Sequence, residues 1–134
     1  MEFSKFHWAL DGKHIVLQSP MKSGSLYYNY KNTFSIVLMA LVDANYKFLY
    51  VDIGTNGITS DGGVFRECSL NSALESGTLC LPQNTPLPGQ SKPLPFVMVA
   101  DEAFPLKENI MKPYPAKILD NEKRIFNYRL SRAR

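Results

Sequence analysis

The sequence predicts a mixed α/β fold built on one sheet, and three observations lead there. Short apolar runs rich in β-branched residues are separated by turn signals. A helical pattern, "NEKRIFNYRLSRAR" (121–134), follows the last of these runs. The chain is 134 residues long, with 45% hydrophobic and 20% charged residues. That balance suits one folded domain and excludes a disordered chain.

The elements follow in order. Residues 9–18 read as a first strand, because Ile15, Val16 and Leu17 are strand formers. "SPMKSGSLYYNYKN" (19–32) is a polar connection with three tyrosines. "FSIVLMALV" (34–42) and "KFLYVDIG" (47–54) read as a hairpin across Asp43, Ala44 and Asn45. "GTNGITSDGG" (54–63) reads as a Gly-rich loop, and without a following Gly-Lys-Ser/Thr it is no phosphate loop. "SLNSALESGTL" (69–79) reads as a short helix with Ser69 as its N-cap and Gly77 as its stop. Residues 81–95 hold five of the nine prolines and are expected to lack regular structure. "PFVMVAD" (95–101) is apolar at successive positions, as in a central strand covered on both faces. On the final helix, Ile125, Phe126 and Leu130 are expected to dock on the sheet.

The net charge of +3 is uneven. Residues 107–134 carry eight Lys/Arg against three Asp/Glu, and the rest of the chain is slightly acidic. A basic C-terminal end suits a phosphate backbone, and it equally suits a solvated helix face. Cys68 and Cys80 are too few for a disulfide framework and have no metal-ligand spacing. The start "MEFSKFHW" is not a signal peptide, and the longest apolar run, residues 36–42, is too short to span a membrane. A soluble protein with no membrane partner is expected.

Asp11 interrupts the first strand, where an uncompensated carboxylate is costly. Asp101 ends its strand, at the edge where open α/β sheets place their sites. If those strands are neighbours, both carboxylates enter one small space and repel. A divalent cation removes that conflict, and Mg²⁺ favours hard oxygen ligands at ~2.0–2.1 Å. By themselves, two strand-associated acids do not identify a metal site.

The segment "ALDGKHIVLQSPMKSGSLYYNYKNTFSIVLMALVDANYKFLYVDIGTNGITSDGGVF" resembles the core of the PIF/Harbinger-type transposases and their domesticated nuclease relatives, within the DDE superfamily endonucleases. "VADEAFPLKENIMKPYP" and "EKRIFNYRLSRAR" resemble later blocks of that family, in the same order. The resemblance covers nearly the whole chain. It implies a ribonuclease-H-like mixed sheet with flanking helices and an Asp-Asp-Glu set of carboxylates holding Mg²⁺ or Mn²⁺. It also implies cleavage of DNA phosphodiester bonds, a nuclear location with some cytoplasmic presence, and in some relatives a separate DNA-binding partner protein. It puts the catalytic, metal-binding acids on Asp11 and Asp101.

Two departures stand out. Phe6, His7 and Trp8 occupy a segment where the family has small residues. The family's Glu is expected just beyond Arg134, so residues 1–134 read as a partial endonuclease domain with its final helix cut short and its N-terminal DNA-binding region absent. Neither Glu122, too early on the helix, nor Asp120, in the preceding loop, is expected to replace it. An impaired nuclease is therefore one reading, and a non-catalytic, transposon-derived DNA- or protein-binding module is the alternative.

Asp61 matches a family acid after the third strand and is expected either to bracket or bind the metal, or to serve only as a turn residue beside Gly62 and Gly63. Lys13 alternates onto the face of Asp11, and with Arg124, Arg129, Arg132 and Arg134 it is a candidate for contact with phosphate. His14 points to the opposite face and reads as a packed or hydrogen-bonded histidine rather than a ligand. Tyr27, Tyr28 and Tyr30 could stack on bases, although loop tyrosines more commonly pack on a sheet.

Overall fold

The structure, a computed structural model, describes residues 7–134. Phe6 therefore lies outside the described residues. The architecture is the expected mixed α/β arrangement, consistent with a ribonuclease-H-like fold. Strands β1 (His7–Val16), β2 (Ser35–Val42) and β3 (Phe48–Asn56) form an antiparallel meander. Further along the chain, β4 (Thr85–Pro86) and β5 (Pro93–Leu94) pair as a separate two-residue antiparallel ribbon. β6 (Val97–Val99) then adds to β1 in parallel, and β7 (Ile110–Met111) adds to β6 in parallel. The main sheet has the order β3-β2-β1-β6-β7.

The predicted hairpin is present, and its turn chemistry explains it. Asp43 Oδ1 accepts the backbone N–H groups of Asn45 (2.8 Å) and Lys47 (3.0 Å), the local bonding that makes Asp a turn former. Tyr46 takes the left-handed φ of 62° that closes the reversal. Along β2 burial alternates strictly, with Ser35, Val37, Met39 and Leu41 inward. Leu10 lies opposite Leu41 and joins them in one apolar layer.

That layer is covered by two short helices, α1 (Asp61–Glu67) and α2 (Ser69–Glu75), through Val64, Phe65, Cys68 and Leu70. The sequence reading placed a loop through residue 63 and foresaw no helix over Asp61–Glu67. Gly62 and Gly63 conceal the helix, because glycine is a poor helix former. It forms because Ser60 Oγ accepts from the Gly63 N–H at 3.2 Å and because Val64 and Phe65 anchor it. The expected cap of α2 shifts by one residue: Cys68 is the N-cap and makes no side-chain capping bond. Gly77 has a φ of +70° just past the helix, as a glycine stop requires.

The proline-rich residues 81–95 are thus not wholly irregular, since they hold the β4–β5 ribbon. Met98 and Val99 of β6 are both fully buried although they face opposite sides, as a central strand requires. β7 went unforeseen, since two residues carry no readable period.

A 3₁₀ turn (Ala116–Ile118) leads to α3 (Asn121–Ala133). Asp120 caps α3, its Oδ1 accepting from the Lys123 N–H at 2.8 Å. Leu130 is buried, and Phe126 packs edge-on against Tyr114 with centroids 5.3 Å apart. Ile125 does not dock. It lies ~100° around the helix from Phe126, off the Phe126–Leu130 stripe, and is exposed. Trp8, at the departing segment, packs edge-on against Phe96 at 4.6 Å.

Candidate metal centre

The parallel pairing of β1 with β6 sets Ala9 opposite Val99. Two residues further on are Asp11, within β1, and Asp101, which does not end its strand as expected but lies in the turn just past the end of β6. Adjacent strands are ~4.7–4.9 Å apart, so acids at matching positions on one face are within reach of one cation. Asp11 is exposed and its Oδ1 accepts the Gly12 N–H at 2.9 Å. Asp101 is half-buried and its Oδ1 accepts the Ala103 N–H at 2.9 Å. Lys112 steadies this turn by donating from Nζ to the carbonyls of Glu102 (3.1 Å) and Phe104 (2.9 Å).

Asp61 completes the cluster. As the first residue of α1 it comes from the helical layer, and Asp11, Asp61 and Asp101 each offer an oxygen within 4.8 Å of the others. Asp61 thus lies both beside Gly62 and Gly63, at the start of α1, and next to the other two acids. Two glycines permit the approach. A Cβ on Gly12 would lie 2.3 Å from Asp61 Oδ1 and 2.5 Å from its Cγ. A Cβ on Gly62 would lie 2.3 Å from the Ala103 carbonyl oxygen, so α1 begins in contact with the Asp101 turn.

The electrostatics are those of carboxylates crowded together, with burial adding to their repulsion. Asp61 Oδ1 is buried and accepts no hydrogen bond among the described residues. Burial, first, and then the nearby charge of Asp101 push the Asp61 carboxyl above its ordinary range. The charge of Asp11 adds to this, while those of His14 and Lys31 oppose it. The donor set consists of hard carboxylate oxygens, one of them orphaned, in a cradle that a single methyl group would fill. A divalent cation that favours oxygen ligands fits such a set, and these are the three residues that could hold it.

Neither Glu122 nor Asp120 belongs to the cluster: Glu122 is exposed and Asp120 serves as the α3 cap. Lys13 is exposed two residues along β1 from Asp11. Arg124, Arg129, Arg132 and Arg134 are exposed on or at the end of α3. Arg134 reaches back to Asp101 Oδ2 at 3.8 Å, which brings the end of α3 beside the site. Arg132 donates to the Tyr128 hydroxyl at 3.2 Å.

Sequence reasoning missed the roles of Gly12 and Gly62. A glycine inside a β-prone strand, beside an acid, is itself a signal of close backbone approach. The reading of His14 as a bonded histidine agrees with its contact from Nδ1 to Ser35 Oγ at 2.7 Å.

Among the described residues, no helix is long and apolar enough to cross a membrane. The family described as DDE superfamily endonuclease matches residues 10–134. A curated relative from Arabidopsis thaliana, "Protein ALP1-like", is 29% identical over 127 residues, which is 93% of this chain and 31% of the relative. The chain thus spans less than a third of the length of that relative. No solved structure matches it.

Proposed function

The chain belongs to the DDE superfamily endonuclease family, and on that basis we propose that it is the metal-dependent catalytic core of a transposase-derived DNA endonuclease. One observation carries the reading: three carboxylates, from β1, from the start of α1 and from the turn after β6, converge within 4.8 Å, one of them with a buried oxygen that has no hydrogen-bond partner among the described residues. Asp11 and Asp101 are the proposed catalytic acids, and Asp61 is a third metal ligand. When bound, Mg²⁺ or Mn²⁺ would favour attack of water on a phosphodiester and stabilise the leaving oxygen.

The chain's own residues supply the rest. Asp11 and Asp101, set by strand register, fix where the reacting phosphate must lie. Lys13, Arg124, Arg129 and Arg132 offer positive charge that would hold the DNA backbone without reading sequence. Arg134, now on Asp101, is the further phosphate contact once that acid is occupied. A DNA substrate implies action in the nucleus, and a separate DNA-binding protein would supply target choice.

Calorimetric titration of Mn²⁺ and relaxation of supercoiled plasmid test the reading together. Wild type should bind Mn²⁺ and nick the plasmid only with Mg²⁺ or Mn²⁺, and Asp101→Asn should lose both properties. Equal Mn²⁺ binding by the two proteins would refute the metal site. Binding without nicking would instead favour a DNA- or protein-binding module of nuclease ancestry.

A further inference from the structure

We propose that the loop between β1 and β2 presents a rigid stacking platform, Tyr30 with Lys31, that receives an unpaired strand of nucleic acid beside the acidic cluster. The inference rests on the DNA reading above, and it assigns a surface which that reading does not use.

The tip of this loop is locked rather than floppy. Asn29 is buried, and its Nδ2 donates to Thr33 Oγ1 (3.0 Å) and to Ser35 Oγ (2.7 Å). Its Oδ1 accepts the N–H of Lys31 at 2.9 Å and that of Thr33 at 3.3 Å. Asn32 closes the turn with a φ of 61° and accepts the Tyr28 hydroxyl at 3.1 Å. Tyr28 packs edge-on against Phe34, with centroids 5.3 Å apart.

On this braced turn Tyr30 is 77% exposed. It is held in place by an edge contact to the His14 ring at 5.5 Å, and Lys31 Nζ lies 5.5 Å from its centroid. Holding a tyrosine in water on a rigid turn gives the fold no burial, yet it leaves an aromatic surface already ordered for a ligand. His14 and Gly12 lie on the same face of β1, ~7 Å apart. The Asp61 carboxylate sits against Gly12. The platform therefore borders the acidic cluster, and the charges of Lys31 and His14 reach Asp61.

The chemistry selects the ligand. An exposed aromatic ring beside a lysine is suited to a base with its adjoining phosphate, the combination used for single strands. Bases inside a duplex have their faces covered and cannot use it. A strand seated there would pass Gly12 and lead to the carboxylates.

The test is fluorescence anisotropy of a labelled oligothymidylate with the full 134-residue chain in EDTA, so that metal plays no part. Tyr30→Ala should weaken binding on the order of 10-fold, while Tyr30→Phe keeps wild-type affinity. Tyr46→Ala, at an exposed tyrosine in the β2–β3 turn, should leave affinity unchanged. Lys31→Gln should reduce the slope of log affinity against log salt by ~0.7, the loss of one phosphate contact. Wild-type affinity in Tyr30→Ala, an equal loss in Tyr46→Ala, or an equal loss on a blunt duplex overturns the proposal. A failed Mn²⁺ titration with these results intact would count against the metal site alone.

Discussion

Gly12→Ala separates the fold from the site. The added methyl would sit 2.3 Å from Asp61 Oδ1. A normal contact is ~3.5 Å, so the carboxylate must move by ~1 Å. It is the end of a side chain, so it can swing away. Leaving its preferred rotamer costs ~0.5–1.5 kcal/mol. Against this, replacing a strand glycine by alanine recovers ~0.5–1 kcal/mol of backbone entropy. Net stability should therefore change by no more than ~1 kcal/mol. Metal binding has no such tolerance, because ligand distances must hold within ~0.2 Å. We expect Mn²⁺ affinity to fall on the order of 10- to 100-fold while the circular dichroism melt barely shifts. In an Asp61→Ala background the same substitution should cost no further affinity, since the displaced group is gone. Wild-type Mn²⁺ affinity in Gly12→Ala, or a full additional loss in the double variant, would show that the glycine does not govern the cluster.

The raised Asp61 carboxyl makes metal-free stability depend on pH. The folded chain holds that proton more tightly than the unfolded chain. This contribution is therefore complete below the ordinary value of 3.8 and is lost as pH rises through the folded value. Urea unfolding of wild type against Asp61→Asn should show the difference shifting against wild type across that window, with Mg²⁺ restoring it; a pH-independent difference would contradict the assignment. Phe104 is 1% exposed and packs edge-on against Phe65 at 5.7 Å. Phe104→Ala should cost ~3–5 kcal/mol and loosen the Asp101 turn, and a loss below ~1 kcal/mol in urea unfolding would show that the turn is held elsewhere. The ion pair from Arg134 to Asp101 is long and partly exposed. Such a pair is worth ~0–1 kcal/mol, so Arg134→Gln should tighten Mn²⁺ binding by at most about fivefold. Weaker binding would mean that Arg134 supports the site.

Much of the fold was legible because its signals are local. The β2 run and the Asp43–Lys47 turn carry their own period and turn chemistry, and α3 carries its cap at Asp120. Helix α1 was not legible: two glycines suppress helix propensity, and burial of Val64 and Phe65 against β2 adds to the Ser60 cap in securing it. Ile125 was misjudged because an apolar residue beside a stripe resembles one within it until the docking partner is known.

For the site, local signals marked the acids at Asp11, within β1, and Asp101, just after β6. That they are neighbours follows only from the tertiary structure, since β6 adds beside β1 across a connection running from Leu17 to Phe96. The same packing brings the Asp61 carboxylate within 4.8 Å of the other two. A side chain's period and propensity follow from residues within a few positions of it. Its charge environment depends on strand order and on how closely a helix approaches a sheet. Here the approach is set by the missing side chain of Gly12 and by the contact of Gly62 with Ala103, which arise only once the layers have packed.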